Sequence, residues 1–388
     1  MTQVSFSHTS LEDSAQAGEY LGRDLRAKLG GESPDVVLVF SSSSHSSKSL
    51  LASLREFSGC PSLVGSTCAG EFIAGALGNG SVSAMAFRSS EMRFSIGLGR
   101  DFGKDMPLAV RELVAGLHGI RDYTYPFRTL LVLTDALAGQ AEEIMELLNQ
   151  ETGGVYQVFG GGAGDDAKFE RTEVFRGMES HTGAVVALEI CSKKPFGIGV
   201  SHGWKPASQP LRVTQSAGAR VVSLNASSAV EVFREHAAKT GQRFDIGNPM
   251  PFFLHNILGI ETPNGLKLRV PLQVGADGSI HCAAEVPEGA MVRIMASSDE
   301  SSTEAAREAA RAALGSLGEA KPKAAIFFDC VATRLKMGKA FAGELDAMTK
   351  ELGGIPYVGC NTYGQIAKVE GQFNGFHNCT AVVCVIPD

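Results

Sequence analysis

No apolar run in these 388 residues approaches the roughly 20 positions that a membrane-spanning helix needs. The first dozen residues have neither a basic stretch nor an apolar core, so no secretory signal is expected and a cytoplasmic location is the working expectation. Lys and Arg never cluster, and the formal net charge is −7. That argues against nucleic acid as the main partner, because phosphate neutralisation supplies most non-specific affinity. None of the eight cysteines stands in a CxxC pair, so the usual spacing for structural zinc and for covalent haem attachment is missing. Tryptophan occurs once, at Trp204. Gly160 to Gly164 is the densest glycine run, yet no Lys-Ser/Thr follows and no helical pattern opens there. Both the phosphate-loop and the dinucleotide fingerprints are therefore absent, and a tight turn is expected.

What is present is repetition. The stretch Val358-Gly359-Cys360-Asn361-Thr362-Tyr363-Gly364-Gln365 aligns without a gap on Val64-Gly65-Ser66-Thr67-Cys68-Ala69-Gly70-Glu71. A weaker copy is Val158-Phe159-Gly160-Gly161-Gly162-Ala163-Gly164-Asp165, so each copy ends in Gly followed by an acid or an amide. An apolar run precedes each loop (Val36 to Ser42, Leu130 to Asp135, Ala324 to Cys330), separated from it by a helix-length segment. Another apolar run follows (Ser81 to Phe87, Gly183 to Ile190, Thr380 to Ile386). Short apolar runs alternating with helical patterns read as βαβ units with largely parallel strands. The fold class expected is α/β, three related strand–helix–strand units in two domains. With 388 residues the chain exceeds one ordinary core. The boundary falls near the break at Ser201 to Pro206, which gives domains of 1–200 (units one and two) and 201–388.

The second domain opens with a partly antiparallel segment. Expected there are a strand pair around Gly218, a helix from Ala226 to Ala238, strands over Phe252 to Ile260 and Leu266 to Val274, and a hairpin at Asp277-Gly278. A capping box Ser301-x-x-Glu304 opens an Ala-rich helix. In the first domain, a helix is expected from Leu11 to Lys28 in an otherwise polar stretch of residues 1–35.

Taken together, the loop Gly65 to Glu71, then Val286 to Ala290, then Cys330 to Arg334, then Gly359 to Gln365 and His377-Asn378-Cys379-Thr380 resemble, in that order, the FIST sensory domains. The resemblance is to an N-terminal and a C-terminal FIST half and covers almost the entire chain. It departs at Gln365, where the family usually carries Glu. The resemblance implies a bacterial signal-input protein that binds a small ligand and has no catalysis of its own. A stand-alone subset of the family, NosP, binds haem, senses nitric oxide and regulates a partner histidine kinase, and that function is the leading expectation. The alternatives are a haem-free sensor of an amino-acid-like molecule and a cysteine-dependent enzyme. A homo-oligomer is left open.

The residues that could serve these functions are specific. Haem b held without covalent attachment needs an imidazole on the iron. His202 ranks first as metal ligand because it stands at a strand end beside Trp204. His255, in an apolar stretch, and His281, on an alternating strand, follow. His8, His118 and His236 are expected in solvent. For a small ligand, Arg334 follows the first strand of unit three, and Thr362 to Gln365 follow the second. Parallel strands bring both loops to one sheet edge, and an Arg there can grip a carboxylate through two N–H groups. Cys330, Cys360, Asn361, Thr362, Tyr363, Gln365, His377 and Asn378 complete the candidate ligand site. For an enzyme, His377 would be base to Cys330 or Cys360.

Overall fold

A computed structural model of the protein describes residues 2–263, 265–369 and 375–388. Alternation along the central strands explains its layering. In strand Val36–Ser42, Val36, Leu38 and Phe40 face one way and Val37 and Val39 the other, and all five are fully buried. The same holds in Phe127–Thr134, where Leu131 and Leu133 oppose Leu130 and Val132. In Pro322–Cys330, Ala324, Ile326 and Phe328 oppose Ala325 and Phe327. Strands covered on both faces read as unbroken apolar runs. One face of each enters a single shared core, where the Phe328 ring lies 5.5 Å from Phe40 and 6.2 Å from Phe159. The other face is covered by that unit's own helices: Ser14–Lys28 and Ser47–Ser58, Met106–Ala115 and Ala141–Glu151, Asp299–Gly315 and Phe341–Glu351.

Each unit has the same strand order. An opening strand (Thr2–Thr9, Met92–Gly99, Gly197–Ser201) pairs antiparallel with a closing strand (Val82–Ser89, Val185–Ser192, Ala381–Pro387). The closing strand pairs in turn with the first member of a parallel pair, which joins Val36–Ser42 to Leu63–Cys68, Phe127–Thr134 to Gln157–Gly162, and Pro322–Cys330 to Tyr357–Thr362. Between the second parallel strand and the closing strand comes a hairpin, and each unit gives its hairpin to a neighbour. Glu71–Ile73 of unit one pairs with Tyr357–Thr362 of unit three. Val174–Arg176 of unit two pairs with Leu63–Cys68 of unit one. Gln365–Lys368 of unit three pairs with Gln157–Gly162 of unit two. Among the described residues, the exchange closes a ring of three six-stranded sheets. A fourth, antiparallel sheet lies between the opening strand and first helix of unit three and has its own core around Phe233, Phe252, Phe253 and Ile294.

Several expectations change here. The three loops do occupy equivalent places, but unit two is out of register by one. Gly65, Gly160 and Gly359 each lie over a carbonyl of the neighbouring strand, where a Cβ would come within 1.8, 1.9 and 2.2 Å of the Val39, Val132 and Phe327 oxygens. Gly160, and not Phe159, therefore matches Gly65. At the hairpin, Glu71 sits opposite Cys360, Gln365 opposite Gly161, and Val174 opposite Ser66. The unit-two counterpart of Glu71 and Gln365 is thus Val174, and Asp165 belongs to an extra segment, 163–173. Strand Thr2–Thr9 was hidden because its most buried positions are Thr2, Ser5, Ser7 and Thr9. Phe252 and Phe253 lie in a helical turn, Met250–Phe253, with Pro251 in its first turn, and the strand begins only at Ile257. The capping box is Ser298 with Ser301, which exchange backbone-to-side-chain bonds of 3.1 and 3.0 Å. Asp299 and Glu300 then fill the first turn, where the helix dipole favours acids. His236, expected in solvent, is buried, with Nε2 3.1 Å from Asn256 Oδ1.

Candidate functional site

The carboxyl ends of the parallel strands in units two and three open toward the antiparallel segment. Strand Pro322–Cys330 ends at Cys330, and the short helix Val331–Met337 turns back over it. Strand Tyr357–Thr362 ends in Tyr363 and Gly364, with Gly364 at φ 97°. Unit two adds the 3-10 turn Ala136–Ala138, and the antiparallel segment adds Leu254, Val270, Leu272 and Cys282. Together they enclose a cavity of about 260 Å³. Its walls are mainly aliphatic, with the Phe169 and Tyr363 rings stacked on one side at 4.4 Å.

Three candidate ligand residues meet at this cavity: Cys330, Tyr363 and Asn378. The Tyr363 hydroxyl donates to Asp165 Oδ1, and burial, then that carboxylate, push its pKa up. Asn378 Oδ1 accepts from the Val270 backbone at 3.3 Å, which ties unit three to the antiparallel segment. The Cys330 thiol is pulled down to about 6, first by the Cys379 thiol, against the opposing effect of burial, then by the backbone N–H groups of Cys379 and Ala332 and by Gln365. It is the one cysteine of the eight whose pKa falls, and burial raises the others except Cys379, which is held up first by Cys330.

The remaining candidates lie elsewhere. Thr362 and Gln365 are fully buried, with Gln365 Nε2 donating to Thr362 Oγ1 at 2.9 Å and Gln365 Oε1 accepting from the Thr380 N–H at 3.2 Å. His377 is buried opposite Gln365 in the hairpin. Cys360 lies in the shared core next to Cys68. Asn361 is buried and accepts from Arg334 Nη1 at 3.0 Å. Arg334 turns away from the cavity and onto the unit-one loop. Its guanidinium donates to the carbonyls of Ala69 (3.4 Å) and Gly78 (3.0 Å) and to Asn79 Oδ1. It lies so close over Gly70 that a Cβ there would fall 1.4 Å from Nη1. Of the expected cleft, Tyr363 lines the cavity, Arg334 forms an inter-unit clip, and Thr362 and His377 are buried in neither.

The haem candidates do not converge on the cavity, whose lining contains no histidine. Trp204 is packed among Ile257, Leu268, Met295 and Cys330, and the Lys336 ammonium lies 5.2 Å from its ring. His202 is desolvated, which lowers its pKa, and it meets the Leu266 backbone. His255 is exposed, and His281 pairs across strands with Arg220. Among the described residues there is no group of three His, Cys, Asp or Glu side chains placed to hold a metal ion. Sequence reasoning missed Glu71, a fully buried carboxyl whose pKa burial pushes up to about 7. Its place in the Gly70-Glu71 motif was the available signal.

Among solved structures, the chain is similar to a cyanuric acid hydrolase from A. caulinodans, at 10% identity over 100% of this chain and 99% of that one, TM-score 0.36. It is also similar to PurLQS from Thermotoga maritima, at 10% identity over 99% and 72%, TM-score 0.24. T. maritima PurL complexed with FGAR gives 12% identity over 99% and 72%, TM-score 0.23. Likenesses this distant assign nothing. No curated protein sequence matches the chain. A model of the FIST N domain matches residues 35–227 and one of the FIST C domain residues 229–368. The chain belongs to the FIST family.

Proposed function

We propose that this FIST protein is a haem-free sensor whose small ligand occupies the cavity between Cys330, Tyr363, Asn378 and the antiparallel segment. The observation that carries this is the cavity's position and chemistry. It lies at the carboxyl ends of parallel strands, where α/β folds bind ligands, and it is apolar with a few convergent polar groups. A volume of about 260 Å³ is roughly nine water volumes at ~30 Å³ each, which suits a compact metabolite. No Lys or Arg lines it, so it suits a neutral ligand better than an amino acid, whose carboxylate would need a cation. Because units two and three and the antiparallel segment all contribute walls, occupancy couples their positions. A partner protein, a histidine kinase in the arrangement the family implies, would read that coupling.

Trp204 shares an apolar cluster with Cys330 and Ala332, so its fluorescence reports on the cavity. Titration with a panel of neutral aromatic and branched aliphatic compounds is expected to change Trp204 emission and raise the melting temperature. Ala283→Phe, at an exposed lining position, is expected to abolish both responses without loss of fold. Compounds that act equally on wild type and Ala283→Phe would place the ligand elsewhere. Titration with hemin tests the alternative: a discrete absorption band lost on His202→Ala would restore the haem-based nitric oxide sensor.

A further inference from the structure

Two cysteines share a buried cluster beside the cavity, one of them in its lining, and nothing in the ligand reading uses them as a pair. Cys330 ends its strand, and the ladder to the closing strand, running through Phe328 opposite Val382, brings Cys379 beside it. Both are buried, and both belong to the cluster that holds Trp204. Cys330 lines the cavity. The Cys379 thiol and backbone N–H both reach the Cys330 sulfur. Cys379 also occupies an unusual backbone position, with φ 50°. The equivalent residues before the closing strands of units one and two are Gly80 (φ 66°) and Gly183 (φ 58°). Glycine adopts this region freely and other residues are strained there. Unit three therefore keeps a strained cysteine where its sisters keep glycine, next to the Cys330 thiol that lines the cavity. The other close thiol pair, Cys68 and Cys360, lies in the shared core, away from any such access.

We propose that Cys330 and Cys379 form a redox-active dithiol that an organic hydroperoxide, entering through the apolar cavity, converts to a disulfide. Resting on the cavity reading, this adds a covalent response to the same site. The Cys330 thiolate attacks the terminal peroxide oxygen; the S–O bond forms and the O–O bond breaks. The alkoxide leaves and takes a proton from water, giving the alcohol and a sulfenic acid on Cys330. The Cys379 sulfur then attacks the Cys330 sulfur, the S–O bond breaks, and hydroxide departs with the Cys379 thiol proton as water. The dithiol loses two electrons and the hydroperoxide gains them. The lowered pKa of Cys330 favours the attacking thiolate. An organic hydroperoxide fits the aliphatic walls better than a charged peptide disulfide, for which the lining offers no cation.

The test uses the full-length protein and one equivalent of cumene hydroperoxide, with cumyl alcohol as the unreactive analogue. Peptide mass spectrometry is expected to show a Cys330–Cys379 link, with Cys68 and Cys360 still reduced. Cys379→Gly installs the residue of the sister units and should fold; in it, dimedone is expected to trap a sulfenic acid on Cys330, formed more slowly than the wild-type disulfide because the thiol that most lowers the Cys330 pKa is gone. Cys330→Ser is expected to leave Cys379 unreacted. Ala283→Phe is expected to slow the reaction with cumene hydroperoxide at least tenfold and to leave that with hydrogen peroxide unchanged. Free thiols throughout the wild type, a link elsewhere, or an equal rate in Ala283→Phe would overturn the proposal. If cumyl alcohol shifts Trp204 emission but cumene hydroperoxide leaves the thiols reduced, the dithiol fails and the cavity stands; if cumyl alcohol has no effect and cumene hydroperoxide leaves the thiols reduced, the cavity reading fails with it.

Discussion

Units one and three build the same turn with different chemistry. In unit one, Glu71 Oε2 accepts from the Ser81 N–H at 3.2 Å and from the Ser81 hydroxyl at 2.8 Å. In unit three, Gln365 Oε1 accepts from the Thr380 N–H at 3.2 Å. One residue before each of those donors the chain takes a left-handed turn, at Gly80 in unit one and Cys379 in unit three. The other oxygen of Glu71 receives the Cys68 thiol at 3.1 Å, whereas the amide nitrogen of Gln365 donates to Thr362. An acid, a glycine and a serine in one unit are replaced by an amide, a cysteine and a threonine in the other on one backbone frame. The frame belongs to the fold. Unit one carries the titratable group, and unit three carries the thiol and borders the cavity.

The frame itself is the first thing to break. Gly65→Ala and Gly359→Ala each put a Cβ against a neighbouring backbone oxygen, which cannot yield. Each is expected to destabilise by about 4 kcal/mol or more, measured by urea unfolding; a large loss in one unit with none in the other would show that the frames differ. The acid comes next. Glu71 has its folded pKa raised from 4.5 to about 7, so its favourable contribution is complete below pH 4.5 and is lost as pH rises through about 7. Glu71→Gln, which gives unit one the unit-three chemistry, is expected to leave stability near pH 4 unchanged. By pH 8 it should exceed wild type by up to about 3 kcal/mol, and melting curves across that range decide it. If the difference is flat with pH, Glu71 does not titrate as described.

Smaller effects test how the units are joined. Arg334→Ala strands the Ala69 and Gly78 carbonyls and is expected to destabilise by about 2 kcal/mol, with ligand-induced Trp204 changes retained; intact stability with lost binding would make Arg334 a ligand group after all. Cys379→Gly trades a strained backbone for lost burial of a thiol, and the net change in unfolding free energy is expected within about 1 kcal/mol. A loss well beyond that would mean the thiol contact dominates the strain.

The central strands were legible because burial on both faces writes an unbroken apolar run, as in Val36 to Phe40. The loops were legible because a parallel pair needs its small residues at one edge. The hairpin exchange left no trace, since strand pairing is made by backbone groups that every residue carries. The cavity was half legible. Cys330, Tyr363 and Asn378 follow strand ends, which sequence can find, but Leu254, Leu272 and Cys282 come from a segment whose placement sequence does not encode locally. Arg334 looked available for a ligand because its acceptors include main-chain carbonyls more than 250 positions away in the chain.

The circulating hairpins have a consequence for what counts as a unit of stability. A strand removed from any one sheet is the property of the next unit, so no third of the ring can be excised with its hydrogen-bonding complete. The two family segments, 35–227 and 229–368, are divisions of sequence that the ring does not respect, because the first contains an edge of the sheet built by the second and the reverse is also true. Unfolding of the ring should accordingly be a single cooperative event, and separately expressed halves should gain order only when mixed.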